Sequence, residues 1–317
     1  DIAGFYQPRV NGSVAFASRN PSGDDERDFG RVVLFDEYAH HFLLGSYDLA
    51  FPAWFSEGFA EFASTLRLQR DSATMGAAAQ HRAWGLLRGR RLSARDLFDP
   101  KVWNDLKLRS DGDAFYGRGW LMTHYLLFSP ERMGQFKTYL TALNKGVSSV
   151  EAAQQAFGDL DALSRDLERY LNRTSLPALT MRFGDTPAPA VAIRPLSDGE
   201  AAMMKMRMAA TRGVDEKEAA AVYARAAPVA ARYPDDPVVQ GWLAEMAYDT
   251  KDDAASLSAS DRALARDPKS VQALLYRARA NLRKLSARHD AKAEDWAAAR
   301  KPIASREVSN LPRKEIG

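Results

Sequence analysis

Cysteine is absent from the 317 residues, which excludes disulfides, thiolate metal ligands and cysteine nucleophiles but suits either redox compartment. No run of about 18 apolar residues occurs, so no transmembrane helix is expected. Blocks of lysine and arginine interleaved with aromatics are also missing. The net charge is only +3, from 44 basic and 41 acidic residues, at a pI near 9.0. Those charges alternate along expected helices and read as a solvated surface, not a nucleic-acid footprint. An initiating Met and a signal peptide are lacking too. The chain opens at Asp1, read as the start of a mature or trimmed fragment whose upstream segment would carry any extracytoplasmic targeting.

What is present is globular. Hydrophobic residues make up 46% and charged residues 27%, and the length suits about two domains. The chain is organised around Val32 to Leu66, VVLFDEYAHHFLLGSYDLAFPAWFSEGFAEFASTL. Apolar Val33, Leu34, Tyr38 and Leu44 suit a partly buried first helix. On it Asp36 and His40 are four residues apart and share a face. Pro52 opens a second helix carrying Glu57 and, one turn on, Glu61. Two ligands from one helix and a third from the next can fix three corners of a zinc tetrahedron and leave the fourth for water.

The D-E-Y-A-H and P-A-W-F-S-E-G-F-A-E segments together resemble the active-site core of the gluzincin (peptidase-MA-like) metallopeptidases, where H-E-x-x-H precedes an E-G-x-A-E helix. The resemblance covers about 175 residues, and its specific part is the core of about 35. It implies a zinc-dependent hydrolysis of peptide bonds in which Glu37 is the general base. Asp36, His40 and Glu57 would be the metal ligands, and Glu61 the carboxylate that steadies a ligand histidine. Position 36 departs from the family, which has His there; the oxygen-rich set shifts preference from zinc towards manganese or calcium. His41, one position round the helix, is expected in packing or solvent contact. Substrates would be peptides or proteins. The alternative is a catalytically inactive pseudo-peptidase that serves as a scaffold or protein-binding module through its helical tail. A third reading, a helical-repeat adaptor unrelated to peptidases, requires that no cleft lie beside His40 and Glu57.

The rest of the chain predicts an α+β, mostly helical fold. GFYQPRV and SVAFAS, split by Asn11-Gly12, form a β-hairpin, read either as packing or as an edge for substrate backbone. Asn20 to Gly30 reads as a loop, Gln69 to Ala79 as weakly patterned, and His81 as a surface or packing histidine. In the buried helix AFYGRGWLMTHYLLF, Tyr116, Trp120 and His124 form one stripe. Such a stripe suits a core. The resemblance implies instead that Tyr116 or His124 donates to the oxyanion, with Tyr125 also open. Helices follow from Pro130, from a Ser148/Glu151 capping box and from Asp159, completing a domain over residues 1–175. Prolines 177, 187, 189 and 195 mark a linker over 176–196 with one strand. Ser197 and Glu200 cap the next helix, whose methionines suit adaptable packing. Asp236-Pro237 and Asp267-Pro268, thirty-one residues apart, mark helix pairs that resemble tetratricopeptide repeats over 197–295. Residues 296–317 are expected to fray.

Overall fold

A two-stranded hairpin leads the chain into its longest helix. The computed structural model describes residues 4–9, 12–17, 24–105, 112–184, 190, 192–288 and 290–304. These fall into two units, Asp1–Pro8 with Ser13–Ala188 and Arg9–Gly12 with Pro189–Gly317. Helices predominate, with small antiparallel sheets in the first unit, so the expected α+β, mostly helical class holds.

In the first unit, β1 (Gly4–Gln7) pairs antiparallel with β2 (Val14–Ala17), Phe5 opposite Phe16. Asn11 of the expected turn lies outside the described residues. Helix α1 spans Asp24–Ser46. It begins inside the stretch expected to be loop, because neither proline nor glycine interrupts the sequence from Asp24 to Phe29. Among its described side chains the buried apolar ones are Ala39 and Leu43, whereas Leu34, Tyr38 and Leu44 are exposed, so the helix is partly buried. Helix α2 (Ala53–Ser64) follows Pro52 and buries Trp54, Phe55 and Phe62.

The weakly patterned stretch is sheet. Strand β3 (Arg67–Leu68) pairs with β4 (Ser72–Met75), and β4 pairs with β5 (Leu179–Arg182). Part of the expected linker thus closes the sheet of the first unit. A 3-10 turn (Gln80–Arg82) leads through α3 (Ala83–Leu87), α4 (Ala94–Phe98) and α5 (Pro100–Asn104). The buried helix α6 (Gly112–Phe128), then α7 (Pro130–Asn144), α8 (Ser149–Phe157) and α9 (Leu160–Leu171), complete the unit. Residues 106–111 are outside the described set. The core joins Trp54, Phe98, Leu121, Tyr139 and Leu163. Trp54 Nε1 donates to Tyr139 Oη at 3.3 Å, and Tyr139 in turn meets Ser149 Oγ at 2.9 Å. The expected capping box at Ser148 does not form; burial of Ala152, Ala153 and Phe157 seats α8 instead.

In the second unit, α10 (Asp198–Arg212) and α11 (Glu216–Ala230) each start at a complete capping box, Ser197/Glu200 and Asp215/Glu218. Met203 and Met206 are buried in the core of this unit. Then come α12 (Pro237–Asp249), α13 (Asp253–Arg266), α14 (Val271–Ser286) and α15 (Ala293–Ala304). Asp236 caps α12, accepting from the Val238 and Val239 amides. Its counterpart Asp267 instead closes α13, and Ser270 caps α14. Of the expected frayed end, residues 296–304 are instead helix, with Ala299 buried, and residues 305–317 lie outside the described residues. Glu245, 2% exposed, is matched by Arg207 and Gln272 as hydrogen-bond donors, as a buried carboxylate requires.

Candidate active site

His40 is the centre of a cluster built by α1 and α2. Its Nε2 lies 3.8 Å from Asp36 Oδ2 on the same helix face and 3.6 Å from Glu57 Oε2 on the neighbouring helix. Ser56 Oγ sits 3.3 Å from Nδ1, so the ring is held from its other side. Glu37 is 8% exposed and accepts a hydrogen bond from the Tyr6 backbone N–H of β1. Strand and helix approach this closely only because residue 4 is glycine: a Cβ there would meet Val33 Cγ1 at 2.5 Å and Phe16 O at 2.7 Å. Together with Glu61, His81, Arg82 and Tyr116 these groups line a cavity of about 440 Å³.

A second close approach brings α6 to the cavity. A Cβ on Gly58 would lie 2.3 Å from the Gly119 carbonyl oxygen, backbone that cannot move aside without parting α2 from α6. Gly58→Ala gains roughly 1 kcal/mol of helix propensity, but overpacking two backbones costs about 1–3 kcal/mol. The substitution is therefore expected to lower the denaturant midpoint of the first unit and shift the Tyr116 environment. An unchanged or raised midpoint would contradict the close crossing.

Burial, reinforced by the charges of Glu61 and Glu57 against the counterweight of His40, pushes the Asp36 carboxyl up to about 8. Burial also pushes Glu37 up to about 7, despite His40 nearby. For His40 burial alone would lower the pKa, yet the hydrogen bond and charge of Glu57, with Asp36 beyond it, raise it. Glu61 shows the opposite balance: burial alone would raise it, but donors from His81 and Arg82 hold it below the usual range. Burial and the charge of Glu57 push Tyr116 up to about 12, with the Arg82 guanidinium 4.7 Å over its ring. Its phenol keeps its proton, and remains a donor, at neutral pH.

Of the residues singled out in the sequence, Asp36, Glu37, His40, Glu57, Glu61 and Tyr116 meet in this cavity. His124 does not. It is fully buried, with Nε2 at 2.9 Å from the Gly76 carbonyl and 3.1 Å from that of Pro177. Carbonyls only accept, so Nε2 carries the proton and Nδ1 accepts from Tyr170 Oη at 2.8 Å. That ring pins the chain around Gly76 and Pro177 and has no path to a substrate. Tyr125 accepts from Arg132 Nε at 3.2 Å. Of the three oxyanion candidates only Tyr116 lines the cavity. The histidine that Glu61 meets is His81, Nε2 to Oε2 at 2.7 Å. His81 lines the cavity where a surface or packing role was expected, and Arg82 and Ser56 were not foreseen. His41, expected in packing or solvent contact, is exposed, with its ring 5.8 Å from that of Tyr38.

Comparison with protein-family models, curated proteins and solved structures finds no match to this chain. Chemical reading of the cavity therefore stands on its geometry. Among the described residues, no group of three or more His, Cys, Asp or Glu side chains stands as a preformed metal cluster. The donors of Asp36 and Glu57 nevertheless converge on one imidazole nitrogen. Burial makes the Asp36 carboxyl of this set reluctant to ionise, and the charge of a nearby cation would favour its ionised form.

Proposed function

We propose that the cavity is the active site of a divalent-metal-dependent hydrolase of peptide bonds, of gluzincin-like type. The observation that carries this is His40 Nε2 between Asp36 and Glu57, at 3.8 and 3.6 Å, with Glu37 lining the same cavity. Asp36, His40 and Glu57 would hold the cation, with zinc the first candidate and manganese favoured more than usual by the oxygen donors. A bound cation supplies a more acidic water and a polarised carbonyl. Glu37, with a carboxyl poised near 7, is suited to take the proton of that water and return it to the leaving amine. Tyr116 is suited to donate its O–H to the carbonyl oxygen as charge grows there. Strand β1, with Gly4 in the cavity wall, offers extended backbone to which a peptide could align.

A second reading is favoured by Asp36 standing where the resembled motif has His and by the lack of a preformed metal cluster among the described residues. In it the first unit is an inactive descendant and the helical tail, similar to tetratricopeptide pairs, binds a protein partner. Chelator-stripped protein incubated with a mixed peptide library, with and without zinc or manganese, separates the two. Cleavage that requires added metal is the expected result. No cleavage by the wild type with either metal, but cleavage by Asp36→His, would establish the inactive descendant.

A further inference from the structure

We propose that His81 supplies the imidazole that position 36 lacks, joining His40 in the cation-holding set of the cavity and oriented for that role by Glu61. This rests on the metal-hydrolase reading above and adds a ligand that no motif in the chain announces.

His81 lines the same cavity as Asp36, Glu37, His40 and Glu57. Its Nε2 lies 2.7 Å from Glu61 Oε2, while Glu61 Oε1 takes Arg82 Nε at 2.8 Å and the second guanidinium nitrogen at 2.6 Å. Arg82 is held in turn by Asp113 Oδ1 at 3.0 Å, and Asp113 Oδ2 accepts the Gly85 amide at 2.7 Å. The 3-10 turn that carries His81 is thus fastened to the first turn of α6. Glu61 is 2% exposed and, paired with a guanidinium, can act only as an acceptor. Nε2 of the His81 ring therefore carries a proton, and the neutral ring has its lone pair on Nδ1. No hydrogen bond to Nδ1 is made among the described residues.

An imidazole whose far N–H is fixed by a buried carboxylate is how proteins orient metal-ligating histidines and raise their basicity. Charge balance points the same way. Asp36, Glu37, Glu57 and Glu61 crowd the cavity, and two imidazoles with carboxylates make a better zinc donor set than one imidazole alone. A histidine that merely neutralised Glu61 would be replaceable by any side chain that donates the same hydrogen bond.

Three measurements test this. Zinc affinity of metal-free protein is read by competition with a chromophoric chelator for wild type, His40→Ala, His81→Gln and the double variant Asp36→His/His81→Gln. Gln keeps an N–H for Glu61 but removes the imidazole. The expected result is at least a tenfold loss in His81→Gln, with helical circular dichroism unchanged, and recovery in the double variant. Cobalt(II) loading should give visible bands that differ between wild type and His81→Gln. In wild-type protein, 15N-histidine spectra should show zinc shifting a ring nitrogen of both His40 and His81, a readout that needs no variant. Zinc binding lost in His40→Ala but intact in His81→Gln, with His81 signals unmoved by zinc, would overturn the role of His81 and leave the metal reading standing. Absence of zinc binding by the wild type would overturn both.

Discussion

Replacing Glu37 by Gln is expected to lower kcat/KM for peptide hydrolysis by about 10²–10⁴-fold, the usual worth of a positioned general base. The exchange is nearly isosteric at a position that is 8% exposed, and the amide oxygen can still accept from the Tyr6 N–H. Fold and cation affinity should therefore survive while proton transfer is lost. A general base must be ionised, so wild-type activity should rise with pH through a pKa at or below about 7, a bound cation drawing it down from the value set by burial. In Glu37→Gln that acidic limb should vanish along with the rate. Steady-state kinetics across pH 5–9 check both features; a variant within tenfold of wild type would remove Glu37 from the chemistry.

The second large effect is on stability. Asp36 and Glu37 are pushed up to about 8 and about 7 in the folded chain, against ordinary values near 4 when unfolded. Raising the pH above about 4 strips these protons from the unfolded state first. The folded state then binds more protons than the unfolded one, and unfolding free energy falls. Stability from these groups is fully present below pH 4 and is lost as pH climbs through 7 to 8. The two titrations interact, so the total is less than the sum of their separate shifts. Saturating zinc should abolish the loss and add about 4 kcal/mol at a thousandfold excess over Kd. Asp36→Asn should be more stable than wild type at pH 8 without metal, and should lose most of the zinc effect. Because the chain has two units, amide exchange within α1 and α2 is the proper readout. Protection there that stays flat or rises between pH 4 and 8 in metal-free protein would contradict the buried cluster.

Local periodicity made the heart of the site legible. Asp36 and His40 share a face because they are four residues apart, and Pro52 announces the helix that carries Glu57 and Glu61. Spacing along one helix could not choose between Tyr116 and His124. They lie on one stripe, but eight residues displace His124 about 12 Å along the axis, which takes it from the cavity wall to full burial against Gly76 and Pro177. His81 and Arg82 reach Glu61 through a tertiary contact across twenty residues that contain a strand pair. No periodic pattern encodes such a contact. Capping patterns were right where the side chain was free to turn back, as at Ser197, and failed at Ser148, where no such bond forms. Low apolar content suggested a frayed end, yet alanines allow α15 to extend to Ala304 with Ala299 buried.

Calorimetric titration of metal-free protein with zinc at pH 8, wild type beside His40→Ala, tests most directly whether Asp36, His40 and Glu57 grip one cation. One equivalent should bind per wild-type chain, and that binding should disappear in His40→Ala with circular dichroism unchanged. A wild type that takes up no zinc, or a His40→Ala chain that binds it equally well, would contradict the metal site.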